Sequence, residues 1–236
     1  MPFKLTFPKN WEQLLRLNPV KKLVGQFSPV IFPNYCLGCG ADMAGGKDSL
    51  CEQCWRDASP GKADNPIRDK RLKKRLFVAF SYAGIMRTVI HQMKFQGRKD
   101  LAIRLTEEAL KRFGSDHELS FSAVVPVPLH PVRVRERGYD QNLIIAQVAS
   151  RMMNIPLETS WIKRLYNTTP QSHLSDSERR ENLIGAIICN QRNSSQLAKP
   201  VLLIDDVIHT GATACTCLNA LAKAGIRHAY VLSISG

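Results

Sequence analysis

The stretch Val201-Leu202-Leu203-Ile204-Asp205-Asp206-Val207-Ile208-His209-Thr210-Gly211-Ala212-Thr213 joins an apolar run to two adjacent carboxylates and then to a Thr-Gly-Ala-Thr turn. Four consecutive apolar residues, Val201 to Ile204, are what a central parallel strand buried on both faces requires. Ligands in open α/β sheets bind beyond the carboxyl ends of such strands. Gly211 permits an unusual backbone angle, hydroxyls flank it, and the free N–H groups at the start of the following helix can cradle a phosphate. Acids beside a phosphate cup suit a sugar phosphate: Asp205 and Asp206 accept from sugar hydroxyls while Thr210, Gly211, Ala212 and Thr213 hold the phosphate. A plain strand, capped turn and helix is the alternative, and adjacent aspartates also bind metal in phosphoacceptor domains. His209 reads as a loop residue rather than a catalyst.

A second constellation lies near the other end. Cys36-Leu37-Gly38-Cys39 and Cys51-Glu52-Gln53-Cys54 are two Cys-x-x-Cys knuckles with eleven residues between Cys39 and Cys51. Two intervening residues let both sulfurs of a knuckle face one ion, and four thiolates complete a tetrahedral zinc site with no open position. Cys36, Cys39, Cys51 and Cys54 therefore read as a structural zinc site, with redox pairs or core cysteines as the alternatives. Such binding contributes roughly 10 to 16 kcal/mol, enough to fold a segment with little core of its own. Cys189, Cys215 and Cys217 read as core or surface residues.

Several elements must position these groups. Leu76 to Tyr82, Phe121 to Val127, Ile184 to Cys189, Val201 to Ile204 and Ala229 to Ile234 read as strands. Ile85 to Phe95, Asp100 to Phe113, Asp140 to Met153 and Thr213 to Ala224 read as helices, the last closed by Gly225. This alternation predicts an α/β fold with a mainly parallel sheet flanked by helices. The boundaries expected are an N-terminal extension over 1–34 with a short helix near Trp11 to Leu17, a four-cysteine finger over 35–57, a linker over 58–72 and the α/β domain over 73–236.

Two further segments could complete a site. Val124-Val125-Pro126-Val127-Pro128-Leu129-His130 reads as a buried strand running into a proline-stiffened loop, or as a simple edge turn. The polar run from Arg164 to Asn182 is long enough to be a lid over a site, or a solvated loop; Ser175-Asp176-Ser177-Glu178 within it fits a helix capping box.

Two of these motifs resemble phosphoribosyltransferases. The strand, acid pair and Thr-Gly-Ala-Thr turn are similar to the phosphoribosyl pyrophosphate (PRPP) motif of the type I enzymes. That resemblance implies a type I phosphoribosyltransferase-like fold, with Asp205 and Asp206 on the ribose hydroxyls and Thr210 to Thr213 on the 5-phosphate. It also implies that Pro128, Leu129 and His130 form the pyrophosphate loop, and that Arg164, Thr169, Gln171 and Arg180 belong to a flexible lid. With the four-cysteine finger in front, and Arg137-Gly138-Tyr139-Asp140-Gln141 after the loop, the chain resembles the ComF family of competence proteins from about Pro29 to Ser235. The family pattern usually has Phe-Asn where this chain has Tyr139-Asp140, which leaves the role of Asp140 open. The resemblance implies a cytoplasmic accessory protein of natural transformation that handles incoming single-stranded DNA, works beside uptake helicase or processing proteins, and uses PRPP with magnesium as a ligand and zinc as a structural ion.

Charge agrees with that implication. Lys and Arg number 33 against 20 Asp and Glu, a formal net charge of +13, which favours polyanions or phosphorylated ligands. Lys70-Arg71-Leu72-Lys73-Lys74-Arg75 could neutralise phosphates or form a solvated linker. Lys94, Arg133, Arg135 and Arg137, with the aromatics Phe95 and Tyr139 close to them in sequence, could bind DNA by charge and stacking, although the arginines could equally serve the small ligand. No window approaches about 18 consecutive apolar residues, so neither a membrane span nor a secretory signal is expected, and the chain should stay in the reducing cytosol. The competing activity is transfer of phosphoribosyl from PRPP to an acceptor that nothing in the sequence identifies.

Overall fold

A computed structural model of the chain describes residues 35–43, 49–61, 67, 69–116, 120–165, 187–190 and 200–236. The N-terminal extension, the capping box at Ser175 and the lid residues Thr169, Gln171 and Arg180 lie outside the described residues. Thirteen elements follow in chain order: α1 Glu52–Asp57, α2 Lys70–Lys73, β1 Leu76–Phe80, α3 Gly84–Phe95, α4 Lys99–Asp116, β2 Ala123–Pro126, α5 Pro131–Arg137, α6 Gln141–Met153, β3 Ile162–Arg164, β4 Ile187–Cys189, β5 Val201–Val207, α7 Ala212–Lys223 and β6 Ala229–Ser235.

Four strands form a parallel sheet in the order β1-β6-β5-β2, as the alternating pattern predicts. β5 is central and buried along nearly its whole length. Its alternate side chains serve opposite faces: Leu202 and Ile204 join the apolar layer that contains Met86, Ile90, Leu105 and Ile145, while Val201 and Leu203 join the layer that contains Leu72, Trp161, Cys217 and Leu221. The sheet is therefore sandwiched, with α3, α4 and α6 on one side and α7 on the other.

The structure differs from the sequence reading in places that matter for the site. β5 does not stop at Ile204 but runs to Val207, because its main-chain ladder with β6 pairs Asp205 with Ser233 and Val207 with Ser235 regardless of side-chain polarity. β3 and β4 pair antiparallel outside the main sheet. Three short helices lacked periodicity long enough to read and are set by caps: Cys51 Sγ accepts from Cys54 N to open α1, Asp69 accepts from the N–H groups of Arg71 and Leu72 to open α2, and His130 Nδ1 accepts from Val132 N to open α5.

Of the stretch read as a linker, the described part is packed. Ala58, Ile67 and Leu72 are buried, and Pro60 bridges antiparallel to Phe80 on the edge strand β1. Ser81 N donates to Ser59 O and Gly61 N to Ala79 O, so this segment covers an edge that would otherwise present unpaired main chain.

Candidate functional site

The two aspartates lie near the carboxyl end of the central strand, just before Val207, and are almost fully buried, Asp205 at 7% and Asp206 at 5% exposure. Buried carboxylates need partners, and two helices supply them. Gln141 Nε2 donates to Asp206 Oδ2 at 2.5 Å, and Lys94 Nζ lies 3.1 Å from Asp206 Oδ1. Asn142 Nδ2 donates to Asp205 Oδ1 at 3.1 Å, and the N–H of Asp206 donates to the same oxygen at 3.0 Å. One ammonium thus faces two carboxyls. Burial first, and the neighbouring Asp206 second, push Asp205 up from 3.8 to about 7, against the opposing pull of Lys94 and Asn142.

Beyond the acids, Ile208 N continues the ladder to Ser235 O, and the chain turns through His209, which meets the Tyr82 ring edge-on at 5.3 Å. Gly211 precedes α7 in the left-handed region at φ 77°, and no side chain caps the helix. Helix starts without a cap from the N-cap residue leave first-turn N–H groups of the kind that bind anions. Ala212 N approaches Thr210 Oγ1 at 3.4 Å, and Cys215 N begins the helical ladder on Gly211 O at 2.8 Å. The acid pair and the turn are separated in sequence by Val207, Ile208 and His209 alone.

The loop Val127 to His130 leaves β2, the strand beside β5. Asn142 Nδ2 donates to Val127 O at 2.9 Å as well as to Asp205, and this single amide ties the loop to the acids. Pro128, Leu129 and His130 are half-buried.

Of the cations considered for DNA, Lys94 faces Asp206, Arg133 pairs with Glu136 at 2.9 Å, Arg135 is exposed, and the Arg137 guanidinium sits 5.2 Å from the centre of the Phe95 ring. Tyr139 is buried, with Lys99 Nζ 5.5 Å from its ring centre. Arg164 ends β3, close enough for its charge to act on Asp205 and Cys217. Asp140, whose role the sequence left open, is the N-cap of α6 and accepts from Leu143 N at 3.0 Å.

The four knuckle cysteines form one group, their sulfurs all within 4.8 Å of one another. Cys39 Sγ and Cys51 Sγ are 3.8 Å apart, about the sulfur–sulfur spacing that tetrahedral ligation at roughly 2.3 Å produces. Burial raises the Cys36 thiol, but main-chain N–H groups of Cys39, Cys51 and Gly38 outweigh it and bring it down to about 6, while burial and the neighbouring sulfurs push the Cys54 thiol up. These residues could hold a metal ion. Cys215 is half-buried and Cys217 fully buried on α7.

No family model matches the chain. It is 26% identical to Competence protein F of Haemophilus influenzae, over 85% of this chain and 96% of that protein. It is 27% identical to Competence protein ComFC of Bacillus subtilis, over 94% of this chain and 88% of that one. The chain is a relative of the ComF competence proteins. The DNA utilization protein YhgH of Escherichia coli O157:H7 is 26% identical over 82% of this chain and 92% of its own length. A solved glutamine PRPP amidotransferase from B. subtilis aligns with 58% of this chain and 26% of its own, at 19% identity and a TM-score of 0.37.

In this ComF relative, sequence reasoning found the acids and missed what holds them. Gln141 and Asn142, at 0% and 1% exposure, stand together at the start of a helix whose buried face is otherwise apolar. Two adjacent amides at the head of such a helix were the available signal, because a buried amide must find partners. Its hydrogen-bond capacity is only half used: among the described residues Gln141 Oε1, Asn142 Oδ1, the Tyr139 hydroxyl and Arg137 Nη1 are buried with no hydrogen-bond partner. Two of these atoms, Gln141 Oε1 and Asn142 Oδ1, belong to the side chains that hold the acid pair.

Proposed function

We propose that this protein is a cytoplasmic accessory factor of DNA uptake that binds PRPP with magnesium at Asp205, Asp206 and Thr210 to Thr213, binds single-stranded DNA, and carries a structural zinc on Cys36, Cys39, Cys51 and Cys54. The observation that carries the ligand reading is the buried acid pair opening directly onto the uncapped turn at Gly211, flanked by buried polar atoms that lack partners. A ribose and its 5-phosphate satisfy both halves at once: hydroxyls donate to the carboxylates and the phosphate accepts from the start of α7. The DNA reading is supported by the +13 charge and by the names of the relatives, competence proteins and DNA utilization proteins. Among the described residues no helix is long and apolar enough to cross a membrane.

Thermal melting with PRPP and magnesium tests the ligand. PRPP raises the melting temperature of the natural chain and leaves that of Asp205→Asn/Asp206→Asn where it was; an equal rise in the double variant overturns the assignment. Filter binding of a single-stranded oligonucleotide across a salt series tests the second ligand, with affinity falling steeply as salt rises. Pyrophosphate release from PRPP, with and without candidate acceptors, separates a binder from a transferase.

A further inference from the structure

Phe95 is one of four large hydrophobic side chains exposed among the described residues, with 59% of its surface open. Its neighbours tie it to the acid pair. Lys94, the residue before it, reaches Asp206 Oδ1 at 3.1 Å. The Arg137 guanidinium stands 5.2 Å from its ring centre, and His91, one helical turn back, places its imidazole 4.9 Å away at 43°. Arg137 ends α5, and four residues further on Gln141 donates to the other oxygen of Asp206. The ring thus lies beside the residue of α3 that reaches Asp206, and its Arg137 neighbour ends the short helix just before α6, whose Gln141 reaches the same carboxylate. Arg137 Nη1 is buried beside it with no hydrogen-bond partner among the described residues.

We infer that Phe95 and Arg137 form a stacking platform for a nucleobase, next to the acids that accept the sugar hydroxyls. This rests on the ligand and DNA readings above and names a contact within them. A planar base is the chemistry that fits: it stacks on an aromatic face, the Arg137 guanidinium beside the ring brings positive charge to the same place, and the sugar and phosphate attached to it are what the neighbouring acids, Lys94 and the Gly211 turn are suited to hold. Lys99, over the Tyr139 ring, adds a second cation at the same edge. Base stacking is tolerant of sequence, so the platform takes a free nucleotide or one base of a single strand.

The full chain is titrated with oligo(dT), and separately with dTMP, across a salt series, alongside Phe95→Ala and Phe95→Tyr. Both substitutions fall at one exposed position, and melting temperatures verify that the variants fold. Phe95→Ala weakens oligo(dT) binding by about 5- to 100-fold, the range that loss of one stacked base produces, while Phe95→Tyr stays within about twofold. The slope of log affinity against log salt is unchanged, since no phosphate contact has been removed. A loss seen with oligo(dT) only assigns the platform to a strand, and a loss seen with dTMP as well assigns it to a free nucleotide. If the natural chain binds oligo(dT) and Phe95→Ala binds it equally, the platform is overturned while the DNA reading stands. If the natural chain binds neither probe, both fall. Unchanged binding with lost self-association in Phe95→Ala makes the ring a protein contact and overturns the platform too.

Discussion

Asp205 is held in a setting that penalises its charge, with burial above all and the Asp206 carboxyl beside it raising it from 3.8 to about 7. The folded chain therefore retains a proton between those values that the unfolded chain has released. Stability from this group is complete below about 4 and is lost as pH rises through 7. Melting of the natural chain should fall, relative to Asp205→Asn, between pH 5 and pH 8, and melting curves that run parallel across that range would count against this account. Binding of a ribose has the opposite linkage, because hydroxyls donate to the ionised acid. PRPP-induced stabilisation should grow over the same range in the natural chain and be flat in the variant. The acids themselves were legible because a polar pair after a run of four apolar residues breaks a pattern. Their custodians Lys94, Gln141 and Asn142 were not, because each is distant in sequence and only the crossing of α3 and α6 over the sheet brings them to one carboxylate pair.

At the scale of elements, the long helices α3, α4, α6 and α7 were readable to within a few residues, since each has an apolar face long enough to show its period. The four-residue α2 and seven-residue α5 escaped because caps rather than periodicity define them. That omission hid a contact at the Gly211 turn. Gly211 needs its left-handed backbone, and a Cβ on it would meet Leu72 Cδ2 of α2 at 2.5 Å. Leu72 is itself only 1% exposed, so it has little room to withdraw. Gly211→Ala should cost about 1 to 3 kcal/mol, from the backbone region and the displaced leucine together. For a chain of this size that lowers the melting temperature by roughly 2 to 10 °C. Response to PRPP should weaken with it, because the turn that presents the α7 amides is the part that moves. Pairing the change with Leu72→Ala relieves the contact but leaves the backbone strain. Leu72→Ala alone costs about 2 to 5 kcal/mol by emptying a buried site, so the comparison is made within that background: Gly211→Ala should cost less there than in the natural chain, and no cost at all would show that the left-handed angle is not required.

Across the whole molecule, composition suggested a metal finger tethered by a linker, whereas the described residues show the finger docked. Cys36 and Leu50 belong to the same apolar layer as Met86, Ile90 and Leu105, and the Trp55 ring lies 6.1 Å from that of Phe80. Arg112 of α4 donates to Ala58 O at 3.1 Å and to Ala79 O at 3.2 Å, fastening the covering segment to β1. Ser49 receives Arg98 Nη2 at 2.7 Å and donates to Asp100 Oδ2 at 3.1 Å, at the head of α4. Sequence could not reveal this, because the residues at the join are few, varied and set in a polar context. The consequence concerns zinc. A tethered finger would unfold alone on losing its metal; a docked one uncovers Phe80 and Met86 and releases the edge of β1. Stripping zinc with a strong chelator, or the pair Cys51→Ser/Cys54→Ser, should therefore lower the melting of the α/β domain itself, by more than about 5 °C and in one cooperative transition. Restoring zinc should recover the chelated protein and not the variant. Two separate transitions, with the main one unmoved by chelation, would return the finger to the end of a tether.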